Sequence, residues 1–578
     1  MSQNITVKIN NTEVTLPAGS TILKAAEKAG FKVPTLCYHP DVHATGSCGI
    51  CVVKMENGKM VRSCNMKAID GKSYITHDED LHRVRRTLLS EILAEHPQDC
   101  LVCRRSGSCE LQTLAAEFNI RTNTIPRRVQ TGPIDRSCAV VMDMKYCIHC
   151  LRCVSVCSKQ QNVGALELVG KGRDSRIKPV GGGTLADSPC VKCGQCVAHC
   201  PVNALKENEA FNPLYAALAN KDLYTTVQIA PAVRVSLGEE FGFKIGENVA
   251  GKIYAALRRL GFNAIFDTSF GADMTIMEEA TELLHRFKNN DNLPLITTCC
   301  PSWVVYLERF YQDMIPHFSS CKSPMMMTGL LTKRYYADKK NLDPKKIFNV
   351  AIMPCTSKKE EIIRNELAQP DGLEDVDLVL TTRELARMIR QAGIDFANLT
   401  PEDPDSLLGE FSGAGLIFGA TGGVMEAALR TASVLSGGNL ERLEFESIRG
   451  LDDIKETKIT IDNKEVRIVV THGLVNVQYV LDKIREAKLN NQETPWHFIE
   501  VMACKGGCVS GGGQSYSKEE QVRERRAKGL YHDDEKLALR MSHENPAIKE
   551  IYDHFLDAPG SHKAHELLHT YYTAKPIK

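Results

Sequence analysis

The cysteines constrain this chain more than any other feature: 22 thiols stand in 578 residues, and most of them are bunched two to five positions apart. No apolar run reaches the length of a bilayer, and the start, Met1-Ser2-Gln3-Asn4, has no basic region followed by an apolar stretch, so a cytoplasmic protein is expected. That compartment keeps thiols reduced, so bunched cysteines read as metal ligands and not as a disulfide framework. The length exceeds what one core can organise, so several domains are expected. Lys plus Arg equals Asp plus Glu at 71 each, which gives no basic surface for a polyanion and argues against nucleic acid as a ligand.

Between residues 138 and 204 the pattern C-x₂-C-x₂-C-x₃-C occurs twice, as Cys147, Cys150, Cys153, Cys157 and as Cys190, Cys193, Cys196, Cys200 followed by Pro201. This is the run of bacterial two-cluster ferredoxins, in which the fourth cysteine of each motif serves the other cluster. The expected ligand sets are therefore Cys147, Cys150, Cys153 with Cys200, and Cys190, Cys193, Cys196 with Cys157. Gly181-Gly182-Gly183 reads as a loop between the halves, and Cys138 as an inert thiol.

Upstream, alternation from Ile5 to Leu16 around Asn10-Asn11 predicts a hairpin, and Thr21 to Gly30 a short helix. Cys37, Cys48, Cys51 and Cys64 follow as C-x₁₀-C-x₂-C-x₁₂-C; a zinc ribbon would pair two C-x₂-C knuckles, and only one is present here. This stretch resembles the 2Fe-2S domain at the start of iron-only hydrogenases and of the large iron-sulfur subunit of respiratory complex I. A helix from Arg83 to Glu95 is expected to end at His96-Pro97, where His96, Cys100, Cys103 and Cys109 form H-x₃-C-x₂-C-x₅-C. Three cysteines leave one iron of a cubane without a thiolate, and a neutral imidazole completes the set. The same string marks the family just named.

From about residue 210, apolar runs at Thr225 to Ile229, Phe348 to Met353 and Arg467 to Val470 alternate with helical segments, which predicts sheets covered by helices. Four cysteines follow strand ends: Cys300 in Thr297-Thr298-Cys299-Cys300-Pro301, Cys355 in Met353-Pro354-Cys355-Thr356, and Cys504 and Cys508 in Met502-Ala503-Cys504-Lys505-Gly506-Gly507-Cys508. These strings resemble the three signature motifs of iron-only (FeFe) hydrogenases, and the resemblance covers essentially the whole chain. It implies that the four cysteines hold a 4Fe-4S cubane, with Cys508 also bridging to a two-iron unit carrying CO, cyanide and an azadithiolate; together they form the H-cluster. Lys358 is then placed to donate to a cyanide, while Lys359 reads as solvated. Ala230-Pro231 matches the loop over the two-iron unit, and Met353 and Met502 would line its cavity. Ala232 stands where some members carry serine and Lys505 where many carry proline; neither change removes an iron ligand.

The family also implies a proton route: Cys299 as relay thiol, then Glu279, Ser319, Glu282 and Arg286, of which Glu279, Glu282 and Arg286 share one helix face. The thiols thus divide into 19 ligands, the relay Cys299, and Cys138 and Cys321 without a role. The reading is a multidomain α+β and α/β protein. Residues 1–77 form a 2Fe-2S ferredoxin-like (β-grasp) domain, 78–126 a small helical domain with a His-ligated 4Fe-4S cluster, 127–209 a ferredoxin-like domain with two 4Fe-4S clusters, and 210–578 the catalytic domain with a helical tail. That is one 2Fe-2S and three accessory 4Fe-4S clusters besides the H-cluster. Reversible oxidation of hydrogen is expected, with electrons exchanged with ferredoxin or with flavin, NAD(P)-binding and small iron-sulfur subunits of a larger complex. No G-x-G-x-x-G strand-to-helix unit is present, so a pyridine nucleotide would bind another chain. The other classes considered are a non-catalytic electron-transfer or assembly protein and a hydrogen sensor. The histidines after residue 516, including His565 to His569, read as packing and not as a metal site.

Overall fold

Asn10 and Asn11 both take left-handed backbone, φ 45° and 69°, the combination a two-residue hairpin needs. Asn4–Ile9 and Thr12–Pro17 accordingly pair antiparallel. They join Ser73–Ile75, Val52–Met55 and Met60–Arg62 in one five-stranded sheet, with Asn4–Ile9 parallel to Ser73–Ile75. Helix Ile22–Lys28, capped by the Thr21 hydroxyl, buries Ile22, Leu23, Ala25 and Ala26 in the core that also holds Val7, Ile9, Val53 and Tyr74. The next helix, Glu79–Glu95, stops before His96 as expected but begins a turn before Arg83, because the Asp78 carboxylate accepts the Leu81 N–H at 2.8 Å.

The structure is a computed structural model that describes residues 4–121, 125–129, 131–437, 443–461 and 464–577; Met1 to Gln3 lie outside the described residues. The chain forms two units, Met1–Gln160 with Gly164–Ser188 and His199–Lys206, and Gln161–Val163 with Pro189–Ala198 and Glu207–Lys578. The internal duplication is written into the backbone: His149 and Leu151 of the first motif are left-handed, and so are Lys192 and Gly194 at the same offsets in the second. In each copy the amide two residues after the first cysteine points at its sulfur, from His149 to Cys147 at 3.5 Å and from Lys192 to Cys190 at 3.3 Å.

The second unit contains two four-stranded sheets. One is entirely parallel, in the order Ala264–Asp267, Tyr224–Ile229, Ile347–Met353, Leu378–Thr381. Its strands are buried almost throughout, as a sheet covered on both faces requires. The other runs Leu295–Ile296, Phe498–Met502, Lys464–His472, Ile454–Ile461, with only the last pair antiparallel. Helix Thr268–Asn289 contributes Ala272, Ile276, Ala280 and Leu283 to the core over this sheet. The tail is helical at Val522–Lys536, Pro546–Ile551 and His562–Leu568. Among the described residues no helix is long and apolar enough to cross a membrane.

Candidate active site

Parallel strands end together, and side chains just beyond their C-terminal ends converge. Cys300 follows Leu295–Ile296 and caps helix Pro301–Phe310, so the amides of Ser302 and Trp303, with that of Ala503, face its sulfur. Cys355 follows Ile347–Met353, and Cys504 follows Phe498–Met502. Gly506 and Gly507, φ 83° and 94°, fold the chain back to present Cys508; a Cβ on Gly507 would lie 2.7 Å from the Thr421 nitrogen. All four cysteines line one cavity of about 80 Å³, together with Cys299, Lys358, Ala230, Pro231, Met353 and Met502. Ala232 lines it too, and its carbonyl accepts Gln514 Nε2 at 2.8 Å. Gln195 Nε2 donates to Cys504 Sγ at 3.1 Å.

The donor chemistry fits an iron-sulfur group. Burial opposes ionisation of all four thiols and each is opposed further by its neighbours or offset by local amides; Cys355 is pushed up to about 12. Four thiolates are stable in such a place when a cationic cluster compensates them. The rest of the cavity is apolar except for Thr268 and for Lys358, whose ammonium meets Glu361 at 2.6 Å, Ser323 Oγ at 2.8 Å and the Cys299 carbonyl at 3.2 Å. Burial works against that charge, but Glu361 and the thiols Cys299 and Cys355 more than offset it, so the amine stays protonated. One buried cation in an apolar chamber beside Cys508 suits a small group with anionic ligands.

Of the proposed proton residues, Cys299 lines this chamber, and Glu279 is near enough to act on its thiol. Cys299 keeps its proton because burial raises its pKa, as do the charges of Cys508, Cys300 and Glu279. Glu279 is pushed up to about 8, chiefly by burial; Ser319 acts against the shift, and Glu279 Oε2 is buried without a hydrogen-bond partner among the described residues. Ser319 Oγ donates to Glu282 at 3.3 Å, and Arg286 pairs with Glu282 at 2.5 Å. Glu282 also gathers residues that carried no signal in the sequence. Ser320 donates from its amide and hydroxyl at 3.1 and 3.2 Å, and the Cys321 thiol lies 3.8 Å away. His569, from the tail, contacts Ser320 Oγ at 2.8 Å and Glu278 at 3.0 Å.

The elevated Glu279 pKa has a stability consequence. Glu279 holds its proton more tightly folded than unfolded, so its stabilising contribution is complete below about pH 4.5 and is lost as pH rises towards 8. Glu279→Gln should remove that loss, worth at most about 5 kcal/mol at 1.36 kcal/mol per pKa unit. The variant's unfolding midpoint is expected to gain on the wild type steadily between pH 5 and 8. A difference that stays constant across that window would contradict the assignment.

In the first unit Cys37 Sγ and Cys48 Sγ lie 3.4 Å apart, and Cys64 interacts with both Cys37 and Cys51. His96 is buried and held neutral, with burial lowering it to about 4, and its Nδ1 has no hydrogen-bond partner among the described residues. That is the state an iron ligand requires. Cys100 is exposed, Cys103 half-buried and Cys109 buried. Cys200 lies close enough to Cys147, Cys150 and Cys153 to oppose their ionisation. Cys157 belongs to the first unit, and Cys190, Cys193 and Cys196 to the second. Cys138 is buried, with its thiol on the Val140 carbonyl at 3.5 Å.

The fold and these donor sets define an iron-sulfur oxidoreductase with a buried, cysteine-lined chamber at the ends of parallel strands. Residues 224–512 match the iron only hydrogenase large subunit, C-terminal domain, and residues 520–575 the iron hydrogenase small subunit. Residues 2–78 match a 2Fe-2S iron-sulfur cluster binding domain, 85–124 the NADH-ubiquinone oxidoreductase-G iron-sulfur binding region, and 139–204 a 4Fe-4S dicluster domain. The chain is 43% identical to the NADP-reducing hydrogenase subunit HndD of Solidesulfovibrio fructosivorans, over 98% of each chain. It is 40% identical to iron hydrogenase 1 of Clostridium pasteurianum, over 98% of this chain and 99% of that one. A solved [FeFe]-hydrogenase, HydA1 of Chlamydomonas reinhardtii, superposes with a TM-score of 0.56 at 41% identity, covering 64% of this chain and 99% of its own. The chain belongs to the iron-only (FeFe) hydrogenases: it interconverts protons and molecular hydrogen and relays the electrons through iron-sulfur domains.

Proposed function

We propose that Cys300, Cys355, Cys504 and Cys508 hold the H-cluster cubane, with Cys508 bridging to the two-iron unit in the chamber beside it. When bound, that unit supplies the metal centre at which the H–H bond is made or broken. The observation that carries this reading is the single cavity in which those four thiols meet Lys358 and Cys299. Lys358 holds the anionic face of the group, and Met353, Met502 and Pro231 keep water from it. Cys299 passes a proton between the chamber and Glu279, from which Ser319, Glu282 and Arg286 lead outward. The four segments 1–77, 78–126, 127–209 and 210–578 are the domains of the proposal. Its accessory centres are one 2Fe-2S cluster on Cys37, Cys48, Cys51 and Cys64, a 4Fe-4S cluster on His96, Cys100, Cys103 and Cys109, and two 4Fe-4S clusters on the duplicated motifs.

For electron exchange the proposal is a catalytic subunit that works with flavin, NAD(P)-binding chains and also accepts reduced ferredoxin. The full-length likeness to a subunit of an NADP-reducing hydrogenase supports it. The test is anaerobic purification of the matured chain and assay of hydrogen production with reduced ferredoxin, then with NADH or NADPH and a co-purified flavoprotein. Turnover that rises only when the flavoprotein is present supports the multisubunit role. Full activity with ferredoxin alone, undisturbed by the flavoprotein, would count against it. A full set of clusters with no turnover from any donor, including a dye, would overturn the proposed site.

A further inference from the structure

Arg152 lies between Cys150 and Cys153 in the first of the duplicated motifs and is 1% exposed. Its guanidinium Nη2 donates to the Leu36 carbonyl at 2.6 Å and the Tyr38 carbonyl at 2.8 Å, on either side of Cys37. Nη1 reaches the His199 carbonyl at 3.3 Å, just before Cys200. Both nitrogens grip the Glu110 carboxylate at 2.7 Å, and Glu110 follows Cys109. One buried fork therefore touches the chain next to a proposed ligand of the 2Fe-2S cluster, of the His96 cluster and of the Cys147 cluster. The packing around it is consistent: Thr45 and Ser47, from the 2Fe-2S loop, donate to the Cys150 carbonyl at 3.1 and 3.4 Å.

A side chain used only for packing would not need this chemistry. A planar fork that remains charged at any working pH can hold several carbonyls and a carboxylate at once. Its buried charge is costly unless it is compensated. Glu110 supplies part of that compensation, and the charges of Cys150 and Cys200 are the thiol contributions. The Nε–H is buried and has no hydrogen-bond partner among the described residues. Cluster potentials respond to net charge and to hydrogen bonds at the sulfurs.

We propose that Arg152 is the positioning and tuning residue of the electron relay: its charge sets the potential of the Cys147–Cys150–Cys153–Cys200 cluster, and its five contacts hold the 2Fe-2S loop and the His96 cluster loop against that centre. The proposal rests on the ligand sets given above. Arg152 and Glu110 then form a matched pair of opposite signs. Removing the cation disfavours the added electron on the neighbouring cluster, and removing the anion favours it.

The test is a redox titration, followed by EPR and iron content, of the full chain and of Arg152→Gln, Arg152→Lys and Glu110→Gln. At the potential where the wild-type Cys147 cluster is half reduced, Arg152→Gln should lower its reduced-to-oxidised ratio about tenfold, and Glu110→Gln should raise it by a similar factor. Arg152→Lys keeps the charge but loses the fork, so its ratio should stay near wild type while the 2Fe-2S signal broadens. A purely structural residue would not give shifts of opposite sign from Arg152→Gln and Glu110→Gln. Unchanged ratios in both variants, or shifts in the same direction, overturn the proposal. If Arg152→Gln loses its cluster, Glu110→Gln and Arg152→Lys decide the question: a raised ratio in the first and a near-wild-type ratio in the second support it, and the reverse sinks it. A wild-type chain lacking the 2Fe-2S and accessory 4Fe-4S signals would instead refute the ligand sets.

Discussion

Cys299→Ala is expected to lower hydrogen turnover in both directions by at least about 100-fold, the contribution a positioned proton donor makes. Cys299 stands beside Cys300, the proposed cubane ligand, whose position is fixed by its place at the start of helix Pro301–Phe310. Cys299 lines the chamber, and burial raises its pKa, so the thiol is neutral at working pH; in the proposed route it donates a proton and is resupplied after each transfer. Glu279, raised to about 8, is protonated at neutral pH and suited to that resupply. Alanine removes the thiol and leaves the backbone carbonyl that accepts Lys358 Nζ. The CO and cyanide infrared bands and the cluster EPR signals should therefore survive while turnover falls. Wild-type rates in Cys299→Ala would route protons elsewhere, and loss of the infrared bands would make Cys299 a support for the bound group and not a relay.

How much of this could be read beforehand depended on whether a residue's role is local. The apolar runs Thr225 to Ile229, Phe348 to Met353 and Arg467 to Val470 mark buried stretches of strands Tyr224–Ile229, Ile347–Met353 and Lys464–His472. The hairpin at Asn10-Asn11 and the end of helix Glu79–Glu95 are likewise settled by neighbours in sequence. Long-range polar contacts leave no such trace. His569 meets Ser320 across 249 positions, and within its own segment it resembles any surface histidine. Cys321 looked idle because its relation to Glu282 exists only in the folded chain. The duplicated motifs also suggested one continuous ferredoxin-like segment, yet Pro189–Ala198 belongs to the second unit. There Thr356 Oγ1 donates to the Lys192 carbonyl at 2.7 Å, and Gly194, at φ 70°, packs so tightly that a Cβ would fall 2.4 Å from Thr356 Oγ1.

Lys358→Met should reduce retention of the two-iron unit by about tenfold or more, as loss of a charge-assisted hydrogen bond worth about 1.5–3 kcal/mol implies. The single substitution also does a second thing, because Glu361 pairs with Lys358 at 2.6 Å and would be left buried without its cation. Breaking such a pair costs about 3–5 kcal/mol, so loss of the infrared bands in Lys358→Met alone could reflect a weakened fold. The double variant Lys358→Met, Glu361→Gln separates the two effects. Glutamine removes the stranded charge and should return the unfolding midpoint most of the way to wild type. If Lys358 acts on the bound group, the CO and cyanide bands stay depleted in the double variant while the cubane signal persists, since none of the four cysteines has changed. Recovery of the bands together with the midpoint would show that Lys358 serves only as the partner of Glu361, and the cation would then have no part in holding the two-iron unit.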